Sequence, residues 1–117
     1  MKNSLKLIIL EGCPYSIALK QLLADTISLK LVDIKNVSHE NKEAFKTKEI
    51  NTFPQLYLIN NIDQKYYLIG GYDMTKNIID EINKNNNLNK LKLKLKKLLP
   101  KLNNKQILRI IQIFRLY

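Results

Sequence analysis

The sequence has few of the residues that build disulfides and metal sites. It contains one cysteine, one histidine and no tryptophan among 117 residues. A single cysteine cannot form a disulfide within the chain, which fits a reducing compartment. No apolar run approaches the length of a membrane-spanning helix. Lys6 and Glu11 interrupt the apolar start of the chain and no small-residue cleavage site follows, so we expect a cytoplasmic protein without a signal peptide.

Acidic residues are missing from the last part of the chain. Residues 84–117 contain eight lysines, two arginines and no acid, so they hold the whole formal charge of +10. Residues 1–83 contain ten basic and ten acidic residues and are formally neutral. This asymmetry predicts a domain at residues 1–84 and a Lys/Leu-rich basic extension at residues 85–117. The length and the 45% hydrophobic content are enough for one buried core.

The single cysteine, Cys13, lies between a predicted strand and a predicted helix. The strand covers residues 5–10, and the helix starts at Pro14, whose missing N–H is tolerated at the first helical position. The free N–H groups and the positive dipole end of this helix would face the Cys13 sulfur and lower the pKa of its thiol. A lone cysteine is more often a small buried apolar residue. Gly12 and Pro14 beside it instead favour an accessible, reactive thiol.

The rest of the first 84 residues predicts an α/β order. Alternating or apolar runs predict further strands, apolar stripes predict further helices, and polar residues between them predict turns. The predicted strands cover residues 29–34, 55–59 and 65–69, and the predicted helices cover residues 39–50 and 74–84. Ser38 and Asp73 are the expected N-caps of these two helices. The order β-α-β-α-β-β-α predicts a mixed four-stranded sheet with helices on both faces.

Three motifs within this predicted order of strands and helices resemble those of the glutaredoxin family. The motifs are Cys13-Pro14-Tyr15-Ser16, Thr52-Phe53-Pro54 and Gly70-Gly71-Tyr72-Asp73. The resemblance covers residues 5–84, and each motif alone is weak. Together they imply a thioredoxin-like fold and a glutathione-dependent thiol–disulfide oxidoreductase acting in electron transport and cell redox homeostasis.

The resemblance also implies a role for each motif. Cys13 would be the catalytic nucleophile, with Pro14, Tyr15 and Ser16 supporting it. The implied glutathione-binding residues are Tyr15, Thr52, Phe53, Pro54, Gly71, Tyr72 and Asp73. Taken alone, the same residues also fit blander roles: a core tyrosine, a strand-initiating proline, and a glycine turn followed by an N-cap.

In the family, the proline that corresponds to Pro54 is cis. It would place Phe53 beside Cys13, so that the Phe53 backbone could pair with the cysteine of glutathione. Gly70 and Gly71 would allow close approach of the ligand. Asp73 would meet the α-amino group of the γ-glutamyl end, while the helix N-terminus takes its carboxylate.

The sequence departs from the family at two positions. Leu10 stands where many glutaredoxins have a lysine, so Lys46 or Lys48 is a candidate for the missing cation, and the pKa of Cys13 should be lowered less than in the best members. Ser16 stands at the position of the second active-site cysteine. The implied cycle is therefore monothiol: it passes through a Cys13–glutathione mixed disulfide and acts on glutathionylated proteins or small disulfides.

Two other functions stay open. A monothiol glutaredoxin dimer can hold a [2Fe–2S] cluster through two cysteines, here Cys13, and two glutathiones. The dedicated cluster class has a Cys-Gly-Phe-Ser motif and an extra loop, and this chain has neither. The other possibility is a non-catalytic adaptor that acts through its basic extension. His39 has no partner in sequence, so we assign it no role and predict no protein-held metal ion.

The basic extension has apolar residues at helical spacing. Leu88, Leu91, Leu95 and later Ile107 and Ile110 fall on stripes, although residues 91–95 also alternate like a strand. Pro100 separates the two stripes and Asn103 is a candidate N-cap. The extension could pack on the domain or on a second copy, or form a basic arm for a membrane surface, nucleic acid or an acidic protein. Without interleaved aromatic residues, sequence-specific nucleic-acid binding is not expected.

Overall fold

The computed structural model describes residues 3–115 of the chain. These residues form four strands, four α-helices and two short 3₁₀ turns. The strands are β1 (Asn3–Leu10), β2 (Val32–Val37), β3 (Gln55–Asn60) and β4 (Lys65–Gly70). The helices are α1 (Pro14–Thr26), α2 (Tyr72–Lys84), α3 (Leu88–Leu98) and α4 (Asn104–Arg115). The 3₁₀ turns are Leu29–Leu31 and Lys42–Phe45.

The strands form one mixed sheet, as predicted. Its order is β2-β1-β3-β4, with β1 parallel to β2 and antiparallel to β3, and β3 antiparallel to β4. The strand β2 begins at Val32, later than predicted, because the three residues before it form a 3₁₀ turn. Leu7 on β1 lies opposite Ile34 on one side and Leu56 on the other. β1 is therefore an inner strand, and its carboxyl end leads into α1.

The two faces of the sheet are covered unequally. Leu5, Leu7 and Ile9 of β1 point into the main core, which also contains the buried residues of all four α-helices. Ile8 points to the other face, into a smaller cluster with Val37 and Tyr57. Alternate residues of β1 thus serve two cores, because successive strand residues face opposite sides.

The predicted helix at residues 39–50 is wrong, because this segment forms only the 3₁₀ turn Lys42–Phe45. The Thr47 hydroxyl accepts hydrogen bonds from the N–H groups of Glu49 (3.2 Å) and Ile50 (3.1 Å), and these bonds compete with helical ones. Ser38 consequently caps no α-helix. The second face of the sheet carries one 3₁₀ turn in place of an α-helix, and a cavity of about 540 Å³ lies beside it.

The basic extension is helical and packs on the domain, as one of the two interpretations of its apolar stripes predicted. Leu91, Leu95 and Ile110 are fully buried and belong to the main core. The predicted cap of α4 is confirmed: Asn103 accepts from the Gln106 N–H at 2.9 Å, and Gln106 accepts from the Asn103 N–H at 2.8 Å. No helix within residues 3–115 combines the length and apolar character needed to cross a membrane.

Because the main core continues into α4, shortening a buried side chain there should destabilise the whole fold. We expect Ile110→Ala to lower the free energy of unfolding by about 2–5 kcal/mol. The control Leu93→Ala removes a similar side chain that is 67% exposed, and should change stability by less than about 0.5 kcal/mol. Urea unfolding followed by circular dichroism measures both. Equal effects would show that the extension is not part of the folded core.

Candidate active site

Cys13 lies at the turn between β1 and α1, as the sequence predicted. It is the N-cap residue of α1, with Pro14 in the first turn. The Cys13 N–H donates to the Leu10 carbonyl (3.2 Å), and the Ile17 N–H donates to the Cys13 carbonyl (3.0 Å). Gly12 has φ +71°, and no atom beyond its chain neighbours lies within 4 Å of where a Cβ would be. Glycine is therefore favoured here by the left-handed backbone and not by a lack of room for a side chain. The chain thereby presents the thiol, which is partly exposed, at the helix N-terminus.

The pKa of Cys13 is lowered, in the direction the sequence predicted. Burial raises the pKa of the thiol, but hydrogen bonds from the Ser16 hydroxyl and from the backbone N–H groups of Ser16 and Tyr15 outweigh it. These N–H groups belong to the first turn of α1, where helical N–H groups have no intrahelical partner. Ser16 is buried, and its oxygen accepts a hydrogen bond from the Leu10 N–H at 3.1 Å. Its own hydrogen remains for the sulfur.

A second segment reaches Cys13 from across the sheet. The Phe53–Pro54 peptide bond is cis, as the resemblance implied. The Cys13 Sγ lies 3.9 Å from the Phe53 carbonyl oxygen, to which the thiol donates a weak hydrogen bond. Residues that are 40 positions apart in sequence therefore meet at the thiol.

Gln55 holds this segment, and the sequence did not single it out. Its side chain is fully buried, and its Nε2 donates to the carbonyl groups of Phe45 (2.9 Å) and Thr52 (3.1 Å). The Tyr57 hydroxyl donates to the Gln55 Oε1 at 3.0 Å. The sequence did offer one signal for this role. Gln55 is a polar residue at the start of an apolar strand, directly after Pro54, and a buried amide needs hydrogen-bond partners.

A groove of about 370 Å³ lies where the first turn of α1, the cis-proline segment and the start of α2 meet, and Cys13 itself is not among its lining residues. Its lining contains every residue predicted to bind glutathione, together with Met74, which the sequence did not indicate. The lining residues are Tyr15, Thr52, Phe53, Pro54, Gly71, Tyr72, Asp73 and Met74. Tyr15 is 63% exposed, which rules out the core role considered for it, and its ring centroid lies 6.4 Å from that of Tyr72.

The wall of the groove formed by the third motif needs glycine. A Cβ on Gly71 would lie 3.3 Å from the Pro54 carbonyl oxygen. At Gly70 φ is +145°, and a Cβ would lie 2.7 Å from the Met74 Cβ. The prediction that Asp73 is the N-cap of the next helix is wrong: Gly71 has the extended backbone of an N-cap, α2 begins at Tyr72, and Asp73 lies in the first turn. Its carboxylate still lies at the positive end of the helix dipole.

Neither candidate for the missing cation lines the groove. Lys46 forms an ion pair with Glu43 at 2.9 Å, and Lys48 is exposed. Among the described residues that line the groove, Asp73 alone is charged. His39 is exposed, and no group of three or more histidine, cysteine, aspartate or glutamate residues that could hold a metal ion occurs between residues 3 and 115.

Together, the sheet order, the helix α1 capped by Cys13 and the cis-proline segment opposite it define a thioredoxin-like fold of the glutaredoxin type. Among solved structures, the chain is similar to a crystal structure of glutaredoxin 1 from Francisella tularensis complexed with cacodylate. The TM-score is 0.50 and the identity 21%, over 71% of this chain and 99% of that one. No protein-family model matches the sequence, and no curated protein matches it.

The hydrogen bond from Ser16 generates a prediction about the thiol. In Ser16→Ala, the pKa of Cys13 should rise, because a donor to the thiolate is lost. The alkylation rate with iodoacetamide, measured against pH, should therefore reach its midpoint at higher pH than in the wild type. Ser4→Ala serves as the control. Ser4 lies at the end of β1 that is away from Cys13, and its hydroxyl bonds to Asn61. An unchanged midpoint in Ser16→Ala would contradict a role of Ser16 in stabilising the thiolate.

Proposed function

We propose that the protein is a glutathione-dependent thiol–disulfide oxidoreductase with a monothiol mechanism. The observation that supports this best is the position of Cys13: a thiol of lowered pKa, at a helix N-terminus, 3.9 Å from the Phe53 carbonyl. The groove next to the Phe53 segment has the volume of a small-ligand site and a lining of aromatic rings, backbone groups and one carboxylate, which suits a peptide-like ligand. A buried structural cysteine would need neither feature.

In this proposal, glutathione lies along the groove in an extended form. Its cysteine backbone pairs with the backbone of Phe53, which brings its sulfur to Cys13. Its γ-glutamyl end lies over Gly71, where the absent side chain permits close approach. The α-carboxylate accepts from the N–H groups at the start of α2, and the Asp73 carboxylate accepts from the α-ammonium group. The α-carboxylate and the α-ammonium group of the ligand thus each meet a protein group of opposite charge.

The chemistry is two successive thiol–disulfide exchanges. The Cys13 thiolate attacks the glutathione sulfur of a glutathionylated protein or small disulfide, and the substrate sulfur leaves as a thiolate that takes up a proton. A Cys13–glutathione disulfide remains. A second glutathione, as its thiolate, attacks the glutathione sulfur of this disulfide, which forms oxidised glutathione and releases the Cys13 thiolate. Across both exchanges, one free glutathione is consumed, the substrate sulfur is released as a thiol, and the glutathione sulfur of the substrate ends in oxidised glutathione.

Ser16 determines which cycle is open to the chain. A resolving cysteine at this position would attack the Cys13–glutathione disulfide within the protein, but a hydroxyl cannot, and no other cysteine exists. Resolution must therefore come from a second glutathione. Because the Ser16 hydroxyl donates to the Cys13 sulfur, it also stabilises Cys13 as the leaving thiolate in the second step.

The first test is turnover of a small glutathione mixed disulfide, coupled to glutathione reductase and NADPH. We expect activity in the wild type and complete loss of it in Cys13→Ser, because no other thiol can form the intermediate. Mass spectrometry should detect one glutathione on the wild type and none on the variant. A folded wild type without turnover would contradict the proposal. Colour after anaerobic iron–sulfur reconstitution would then favour the cluster-binding alternative, and a colourless protein would favour the adaptor.

A second test addresses the γ-glutamyl end. Asp73→Asn should raise the KM for glutathione about tenfold or more, because a hydrogen bond between charged groups is lost. The rate constant for alkylation of Cys13 should stay the same. Asp80→Asn is the matched control: Asp80 lies two turns further along α2, exposed and paired with Lys76 at 3.3 Å. An equal KM for the two variants would remove Asp73 from the binding site.

A further inference from the structure

The proposed function leaves the positive charge of the extension unused. The apolar stripes of α3 and α4 are buried in the core, so the extension cannot act as a free amphipathic arm. Its arginines make hydrogen bonds within the protein: Arg109 donates to the Asn3 carbonyl at 3.2 Å and Arg115 donates to the Ile82 carbonyl at 3.3 Å. Lysines on the outer side of the helices therefore supply the charge that a partner would meet.

Three of these lysines lie on one face of α3. Lys90, Leu93, Lys94 and Lys97 recur at i, i+3, i+4 and i+7, and all four are exposed. We call this set the α3 face. The opposite side of α3 is buried through Leu91 and Leu95, among others. The α3 face therefore points away from the molecule.

Acidic residues neutralise only part of this face. Lys94 lies 3.3 Å from Glu81, which also pairs with Lys84 at 2.9 Å. Lys90 and Lys97 form no ion pair with any residue in the described part of the chain. The face thus keeps an excess of positive charge, and residues 84–117 contain no acid that could balance it.

Leu93 indicates which kind of anionic partner fits. It is 67% exposed and lies between Lys90, Lys94 and Lys97 on the helix surface. A leucine finds no favourable contact on the phosphate backbone of a nucleic acid, and the α3 face offers no aromatic ring for base stacking. At a lipid headgroup layer, the same leucine enters the apolar boundary while the lysines meet the anionic groups.

We propose that the α3 face binds the surface of an anionic phospholipid membrane. The protein associates peripherally: lysines supply most of the attraction and Leu93 adds an apolar contact. Leu98, the last residue of α3, and Pro100 after it line a cavity of about 310 Å³ together with Gly70 and Met74. Met74 also lines the groove next to the Phe53 segment.

Vesicle sedimentation tests this proposal, independently of any redox activity. The wild type should sediment with phosphatidylcholine vesicles that contain about one third phosphatidylserine, and not with pure phosphatidylcholine. Raising the salt from about 0.1 M to about 0.5 M should weaken the binding strongly, because exposed charges are screened. No sedimentation with the anionic vesicles at low salt would overturn the proposal.

Matched variants locate the binding face. Lys90→Gln/Lys97→Gln should weaken binding about 25-fold, at roughly fivefold for each lysine. Lys20→Gln/Lys65→Gln removes the same charge from exposed positions of the domain and should have little effect. Leu93→Gln should weaken binding about fivefold. Its control is Ile62→Gln, because Ile62 has a side chain of the same size, is 72% exposed and lies outside the α3 face; this variant should bind like the wild type.

Two outcomes of these experiments would count against the α3 face. Equal weakening by both lysine pairs would mean that net charge alone drives binding. Tighter binding to a DNA duplex of about 20 base pairs than to vesicles, without any effect of Leu93→Gln, would assign the face to nucleic acid instead. Thermal unfolding by circular dichroism should give the same midpoint for all variants, because each changed residue is exposed.

Discussion

The position of Cys13 depends on strand β1, which is paired on both edges and buried on both faces. β2 and β3 hold its backbone, and Leu7 and Ile8 anchor it in opposite cores. At its carboxyl end, the Leu10 carbonyl accepts from the Cys13 N–H, and the Leu10 N–H donates to the Ser16 hydroxyl. One residue of β1 thus fixes both the thiol and the hydroxyl that stabilises its thiolate. The precision of the site comes from a strand that is paired on both edges and packed on both faces.

The cis-proline segment is held in a different way. No α-helix directly precedes it, since residues 38–54 contain only a 3₁₀ turn. Its support is instead a set of specific polar contacts, chiefly the buried Gln55 amide with its bonds to Phe45 and Thr52. From the side of the extension, Lys101 reaches Glu49 at 3.2 Å. An exposed ion pair of this kind contributes little free energy, so we assign the main role to the buried amide.

The sequence was sufficient for those parts of the fold that depend on local pattern. The Pro14 helix start and the four strands follow from local sequence pattern, whereas the residues that meet in the groove were implied by the resemblance that the three short motifs carry. The helix at residues 39–50 could not be excluded, because the bonds of the Thr47 hydroxyl that replace it depend on the folded loop. The stripes of α3 and α4 predicted amphipathic helices, but periodicity does not say which surface covers them. Gln55 and Met74 acquire their positions only through tertiary contacts.

The hydrogen bonds that lower the pKa of Cys13 and the charge interactions of the exposed lysines act over different distances. The causes of the lowered pKa of Cys13 are hydrogen bonds from Ser16 and Tyr15, and no charged group is among them. Such contacts act within about 3–4 Å and are insensitive to salt, whereas exposed lysines act over about 10 Å and are screened. The extension therefore does not replace the lysine that Leu10 displaces. Its charge is free to serve an external surface, because the chemistry at Cys13 depends on the geometry of a helix N-terminus.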